Sequence, residues 1–141
     1  MRGVMTQILL VGTELPLLEG LAQSFAALGL TPVVAQSVHE AREVAAQNPP
    51  LIAVVSRALA APATTDTLSI PLAPGGALVL FRVVGSPLVT LSPTVQRVVL
   101  ADLTLPLERN RLMALVQHVE DRARATGRGY GETGDESSPR A

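Results

Sequence analysis

Three short, almost wholly apolar runs, Gln7 to Val11, Pro32 to Ala35 and Leu51 to Val55, constrain this chain more than any other feature. Each is too short for an ordinary helix and apolar enough to be covered on both faces, as strands inside a parallel sheet are. The segments between them carry helical spacing instead. Leu17, Leu18, Leu21, Phe25 and Leu28 recur on one helix face, with Thr13 as the expected cap, Pro16 in the first turn and Gly29 just past the end. Ser37-x-x-Glu40 is a capping box that opens a second helix to about Gln47, and Asn48-Pro49-Pro50 stops it. Strand, helix, strand, helix, strand in this order predicts an α/β fold with helices on both faces of a parallel sheet. Right-handed crossovers then gather the loops that follow the strands on one sheet edge, where such folds place their chemistry.

The second half is less regular. Arg57 to Ala61 and Asp66 to Ile70 are short helical candidates, cut by Pro62 and Pro71, and Pro74-Gly75-Gly76 is a turn. Ala77 to Val84 reads as the fourth strand. Gly85, Pro87 and Pro93 leave little room for a full crossover helix, so Leu88 to Leu91 is expected to be extended. Gln96 to Ala101 is the expected fifth strand, and Pro106 opens a last helix carried by Leu112, Leu115, Val116 and Val119. From Gly127 the composition turns to Gly, Glu, Ser, Pro and Arg, too polar to offset its ordering entropy. The expected organisation is one domain over 1–125 and a disordered tail over 126–141.

Composition excludes several classes of function. The chain has 141 residues, 48% hydrophobic but only 2% aromatic, so its core is built of Leu, Val, Ile and Ala around Phe25 and Phe81. A net charge of −1 gives no electrostatic case for binding nucleic acid or a membrane surface. All 11 basic residues are arginine, which removes Schiff-base chemistry and any phosphate-binding lysine. There is no cysteine, hence no disulfide, thiol nucleophile or thiolate metal site. His39 and His118 have no companion ligands at metal spacing. No apolar stretch reaches the ~20 residues of a membrane span, and the first residues do not read as a signal peptide. The expectation is a cytoplasmic, bacterial protein with no cofactor and no metal.

Ile8-Leu9-Leu10-Val11-x-x-Glu14, the helix end Ala27-Leu28-Gly29-Leu30, Ala35-Gln36-Ser37, Pro49-Pro50 and Leu105-Pro106-Leu107-Glu108 occur together in an order and spacing that resembles the receiver domain of bacterial response regulators. The match is best over 7–56 and returns over about 95–120. The resemblance implies a three-layer, flavodoxin/CheY-like fold, with a five-stranded, mostly parallel sheet and shortened third and fourth helices.

The resemblance also implies a phosphorylation pocket, and here this sequence departs from the family. Where receivers carry an acidic pair for Mg²⁺, it has Gly12 and Thr13, with Glu14 beside them. Ser56 stands at the phospho-acceptor aspartate. Arg82 falls at about the hydroxyl residue of the fourth strand, and Leu105 at the lysine before the last helix. Phosphoryl transfer to a carboxylate needs a metal held by carboxylate oxygens, and one glutamate is a poor start. Ser56 without a base is a weak nucleophile.

Three functional expectations follow. The first is a degenerate receiver, not an enzyme, that acts without phosphorylation as a signalling or adaptor module through a protein partner or a homodimer. Ordinary receivers switch a surface running from the fourth strand to the fifth helix. The residues expected to offer that face are Leu88, Val89, Leu91, Arg97 and Arg111. The second is a sensor of a small ligand or anion in the vacated edge, with Thr13, Arg82 and the first helix terminus as donors. The third takes Val98 to Pro106 as a phospho-acceptor strand and Asp102 as the acceptor of an active receiver. No output domain follows in this sequence, so action in trans is expected.

Overall fold

The computed structural model describes residues 6–60, 70–86 and 93–132. Five strands, β1 (Gln7–Val11), β2 (Thr31–Ala35), β3 (Ile52–Ser56), β4 (Ala77–Val83) and β5 (Val99–Leu105), form one sheet in the order β2-β1-β3-β4-β5, every pair parallel. Helices α1 (Leu15–Ala27), α2 (Val38–Gln47), α3 (Arg57–Ala60), α4 (Pro93–Val98) and α5 (Arg109–Glu132) complete the chain order.

Because side chains alternate across a strand, each strand feeds two cores. Ile8, Leu10, Ile52, Val54, Val79, Phe81, Leu103 and Leu105 pack on Leu18, Leu21 and Phe25 of α1 and Leu112, Val116 and Val119 of α5. Leu9, Val11, Ala53, Val55, Leu78 and Leu80 pack on Ala41 and Ala45 of α2 and Ala60 of α3. The sheet is therefore the middle of three layers, and its central strands are fully buried, as their unbroken apolar runs require.

Local signals place the second helix as expected. Ser37 Oγ accepts the Glu40 N–H at 3.0 Å, and the Glu40 carboxylate accepts the Gln36 N–H at 2.9 Å, one residue earlier than in the standard box. Gly29 takes a φ of +86° after α1, the left-handed turn that favours glycine. At the start of α1 the cap is Glu14, not Thr13, and no side chain accepts there. Leu28 lies beyond the apolar face, half exposed.

Three boundaries differ from the sequence expectation. Gln96 to Val98 belong to α4, and β5 begins at Val99. Pairing with β4 decides this: Leu103 stands opposite Phe81 and Leu105 opposite Val83, so both leucines are buried, and a register shift at Leu78/Val79 absorbs the mismatch. The last helix begins at Arg109, because Pro106 to Glu108 form a turn in which the Arg109 N–H reaches the Pro106 carbonyl. That helix also runs to Glu132, past the boundary expected at 125: once α5 is docked, each added residue closes one more hydrogen bond. The remainder of the expected tail, and Leu88, Val89 and Leu91, lie outside the described residues. The third and fourth helices are short, at 4 and 6 residues.

Candidate functional site

The strands end together at one sheet edge, and the sequence-predicted pocket residues are distributed around it. Gly12 follows β1 and takes a backbone hydrogen bond to the Ala35 carbonyl at 3.0 Å. Ser56 closes β3 with its side chain on the α1/α5 side and is buried. Glu14 reaches back over them. Its Oε1 accepts the Thr13 N–H at 3.1 Å, and its Oε2 lies 3.5 Å from Ser56 Oγ, the outer limit of a hydrogen bond. Gly12, Thr13, Glu14 and Ser56 are thus brought together.

The space over Gly12 is crowded by the chain itself. A Cβ on Gly12 would stand 2.8 Å from Glu14 Oε1, 3.3 Å from the Phe81 ring and 3.3 Å from Ser56 Cβ. Phe81 pairs with Ser56 in register and is wholly buried, as is Leu105 on the same face of the sheet. An apolar ring and an isobutyl group therefore occupy the side of the edge on which a receiver works with a hydroxyl and an amine.

The fourth-strand assignment is corrected by one residue. Alternation turns Arg82 to the opposite face from Phe81, so Phe81 and not Arg82 faces Ser56 and Gly12. Arg82 acts electrostatically on Glu108 in the β5–α5 turn. The donors expected for an anion, Thr13, Arg82 and the start of α1, therefore do not converge. A one-residue error in face is invisible in an apolar run, and the usable signal was that Phe81 is the sole aromatic of its strand.

Asp102, the acceptor of the third reading, falls in the fifth strand. It lies opposite Leu80, and its carboxylate pairs with the Arg57 guanidinium at the start of α3. It is a link between β5 and α3, on the face away from Gly12, not an acceptor at the end of a third strand.

The β5–α5 turn is organised by Glu108, which the resemblance did not single out. Its carboxylate accepts the Thr104 N–H at 2.7 Å and pairs with Arg111 at 2.9 Å, while its own N–H returns to the Thr104 carbonyl at 2.8 Å. The Thr104 N–H first, then Arg111, hold the Glu108 carboxyl below its ordinary value, with Arg82 adding a weaker pull.

The residues present do not fit Mg²⁺. The metal needs several oxygen ligands in near-octahedral array. Among the described residues the edge offers one carboxylate, and both of its oxygens already face the chain's own donors. Among the described residues no three His, Cys, Asp or Glu side chains gather where an ion could sit.

On the surface, Arg97 of α4 and Arg111 of α5 are both exposed. The structure adds exposed apolar residues that the sequence did not distinguish from core: Val98 and Leu100 are each 52% exposed, and Leu107 is 77% exposed. No helix among the described residues is long and apolar enough to cross a membrane.

This arrangement is that of the receiver fold. The chain superposes on a response regulator receiver domain from Clostridium thermocellum with a TM-score of 0.64 at 13% identity, over 86% of this chain and 99% of that one. A signal receiver domain of an HD domain-containing protein from Pseudomonas fluorescens gives 0.65 at 16% identity, again over 86% and 99%. A CheY-like receiver domain from Methylobacillus flagellatus gives 0.63 at 14% identity over 82% and 99%. The sequence matches no protein-family model and no curated protein.

Proposed function

We propose that this chain is a receiver-like signalling or adaptor module that works by protein–protein contact without being phosphorylated, and that it is not an enzyme. One observation carries the reading. The edge that would bind Mg²⁺ and phosphate holds Phe81 against Gly12, with Leu105 buried on the same face and, among the described residues, a single carboxylate within reach. A phosphoryl group needs a dry, cationic, metal-bearing pocket. Here the Phe81 ring, Ser56 and Glu14 crowd the space over Gly12, and no cation is among them.

With no phosphate to bias a two-state surface, the module presents one surface constantly. Its docking face includes the α4–β5 junction, where exposed Val98 and Leu100 follow exposed Arg97. Apolar residues rimmed by charge are the composition of an interface. The partner is a protein or a second copy of this chain, and the setting is the cytoplasm.

The test combines Val98→Glu and Leu100→Glu with solution size and co-purification from the source cell. Both sites are half exposed, so the double variant is expected to fold and to lose the partner or the dimer. Acetyl phosphate with Mg²⁺ is expected to leave both proteins unchanged. A double variant that retains every association, or a complex that forms only with the phosphodonor, contradicts the proposal.

A further inference from the structure

The opposite edge of the sheet, where the strands begin, holds a buried glutamine whose hydrogen bonding is half met among the described residues. Gln7 opens β1, is 7% exposed and is followed by four wholly buried apolar residues. Asn48, the residue that caps the end of α2, donates its Nδ2 to Gln7 Oε1. Among the described residues nothing accepts from Gln7 Nε2, and nothing donates to Asn48 Oδ1. A buried amide left half satisfied destabilises a fold, and a leucine would complete this strand at no such cost. A half-open cavity of about 320 Å³ lies against the pair. Leu51 and Ala73 give it apolar lining, and Glu120 and Arg124 of α5 border it, paired with each other at 3.3 Å.

The geometry points to a binding site here for a small neutral molecule that presents a planar amide-type edge, an acceptor beside a donor. Gln7 Nε2 donates to the ligand carbonyl and the exposed Asn48 Oδ1 accepts from the adjacent N–H, so the buried glutamine amide is satisfied. Leu51 and Ala73 cover the ring or alkyl part. Arg124 pairs with both Glu120 and Asp121, so among the described residues no unpaired cation borders the site to draw an anion. Carboxamides, lactams and pyrimidine-type ring edges share this chemistry, and the volume suits a single ring. The site does not depend on the reading of the opposite edge.

The side-chain NH₂ resonances of Gln7 and Asn48 in ¹⁵N-labelled protein test this directly. Nicotinamide and uracil are the probes, and benzoate, which has the ring but no amide, is the control. Saturable shifts of both resonances are expected, with midpoints of about 1–10 mM for a fragment in a half-open site. In Gln7→Leu the Asn48 shift should weaken at least tenfold while the melting temperature holds or rises. Should that variant not fold, Asn48→Ala, at an exposed position, is expected to abolish the Gln7 shift in the same way. No saturable shift with either amide, an equal response to benzoate, or a response unchanged in the variants overturns the inference.

Discussion

Phe81→Ala removes the ring that stands 3.3 Å from the Cβ position of Gly12. Phe81 is wholly buried in the core shared by α1 and α5. Removing such a side chain loses its transfer free energy and leaves a cavity, about 3–5 kcal/mol together. With a urea dependence of about 1.5–2 kcal/mol per molar, the unfolding midpoint should fall by about 1.5–3 M at unchanged slope. Gly12→Ala acts on the same space from the other side. Its methyl group meets the ring and Ser56 Cβ at 3.3 Å, and Glu14 Oε1 must move, for a cost of about 1–3 kcal/mol. In the double variant the cavity accepts the methyl group. The two effects should therefore be non-additive by about 0.5 kcal/mol or more, with the double variant less destabilised than the sum. Equilibrium urea denaturation of the four proteins measures the cycle. A loss under about 1 kcal/mol for Phe81→Ala is the cost of a surface residue, and it refutes the idea that the ring plugs the edge. Additivity within about 0.3 kcal/mol refutes the contact with Gly12.

Other outcomes follow from single features. Gly20 lies mid-helix in α1 with nothing within 4 Å of an added Cβ, so Gly20→Ala should stabilise the protein by about 1 kcal/mol, read as a rise in melting temperature. Asp102→Asn should destabilise by roughly 1–2 kcal/mol in the same denaturation assay, between an exposed and a buried pair, because Arg57 is only 15% exposed. The Glu108 carboxyl is held below its ordinary value, so its stabilising contribution is complete above the ordinary glutamate range and is lost as pH falls through the lowered pKa. The stability gap between the parent and Glu108→Gln should accordingly shrink on acidification, and carbon NMR should place the Glu108 midpoint below that of a free glutamate. A gap that widens in acid contradicts the Thr104 and Arg111 contacts.

Much of the fold was legible because local signals and tertiary packing agree. The run Gln7 to Val11 is β1 residue for residue, and the Ser37–Glu40 box and Pro49-Pro50 bound α2 within a residue. Legibility ended where a distant partner makes the choice. Val98, Val99 and Leu100 form an apolar run with no alternation, so nothing local says that β5 starts at Val99 or that its buried members are Leu103 and Leu105. The register against β4 decides both. The site shows the same limit. Gly12, Thr13 and Ser56 follow from their distance to clear strand ends, whereas the fourth strand turns Phe81 and not Arg82 toward them. In a strand, one residue is the difference between a cation at the pocket and a phenyl ring in it.

The most direct measurement is intact mass after incubation with acetyl phosphate and Mg²⁺, beside a receiver that accepts phosphate. The account predicts an unchanged mass for this chain under conditions that fully modify the control. A gain of one phosphoryl group would contradict it, and its loss in Ser56→Ala would place the chemistry at this edge, in Asp102→Asn at the β5–α3 link.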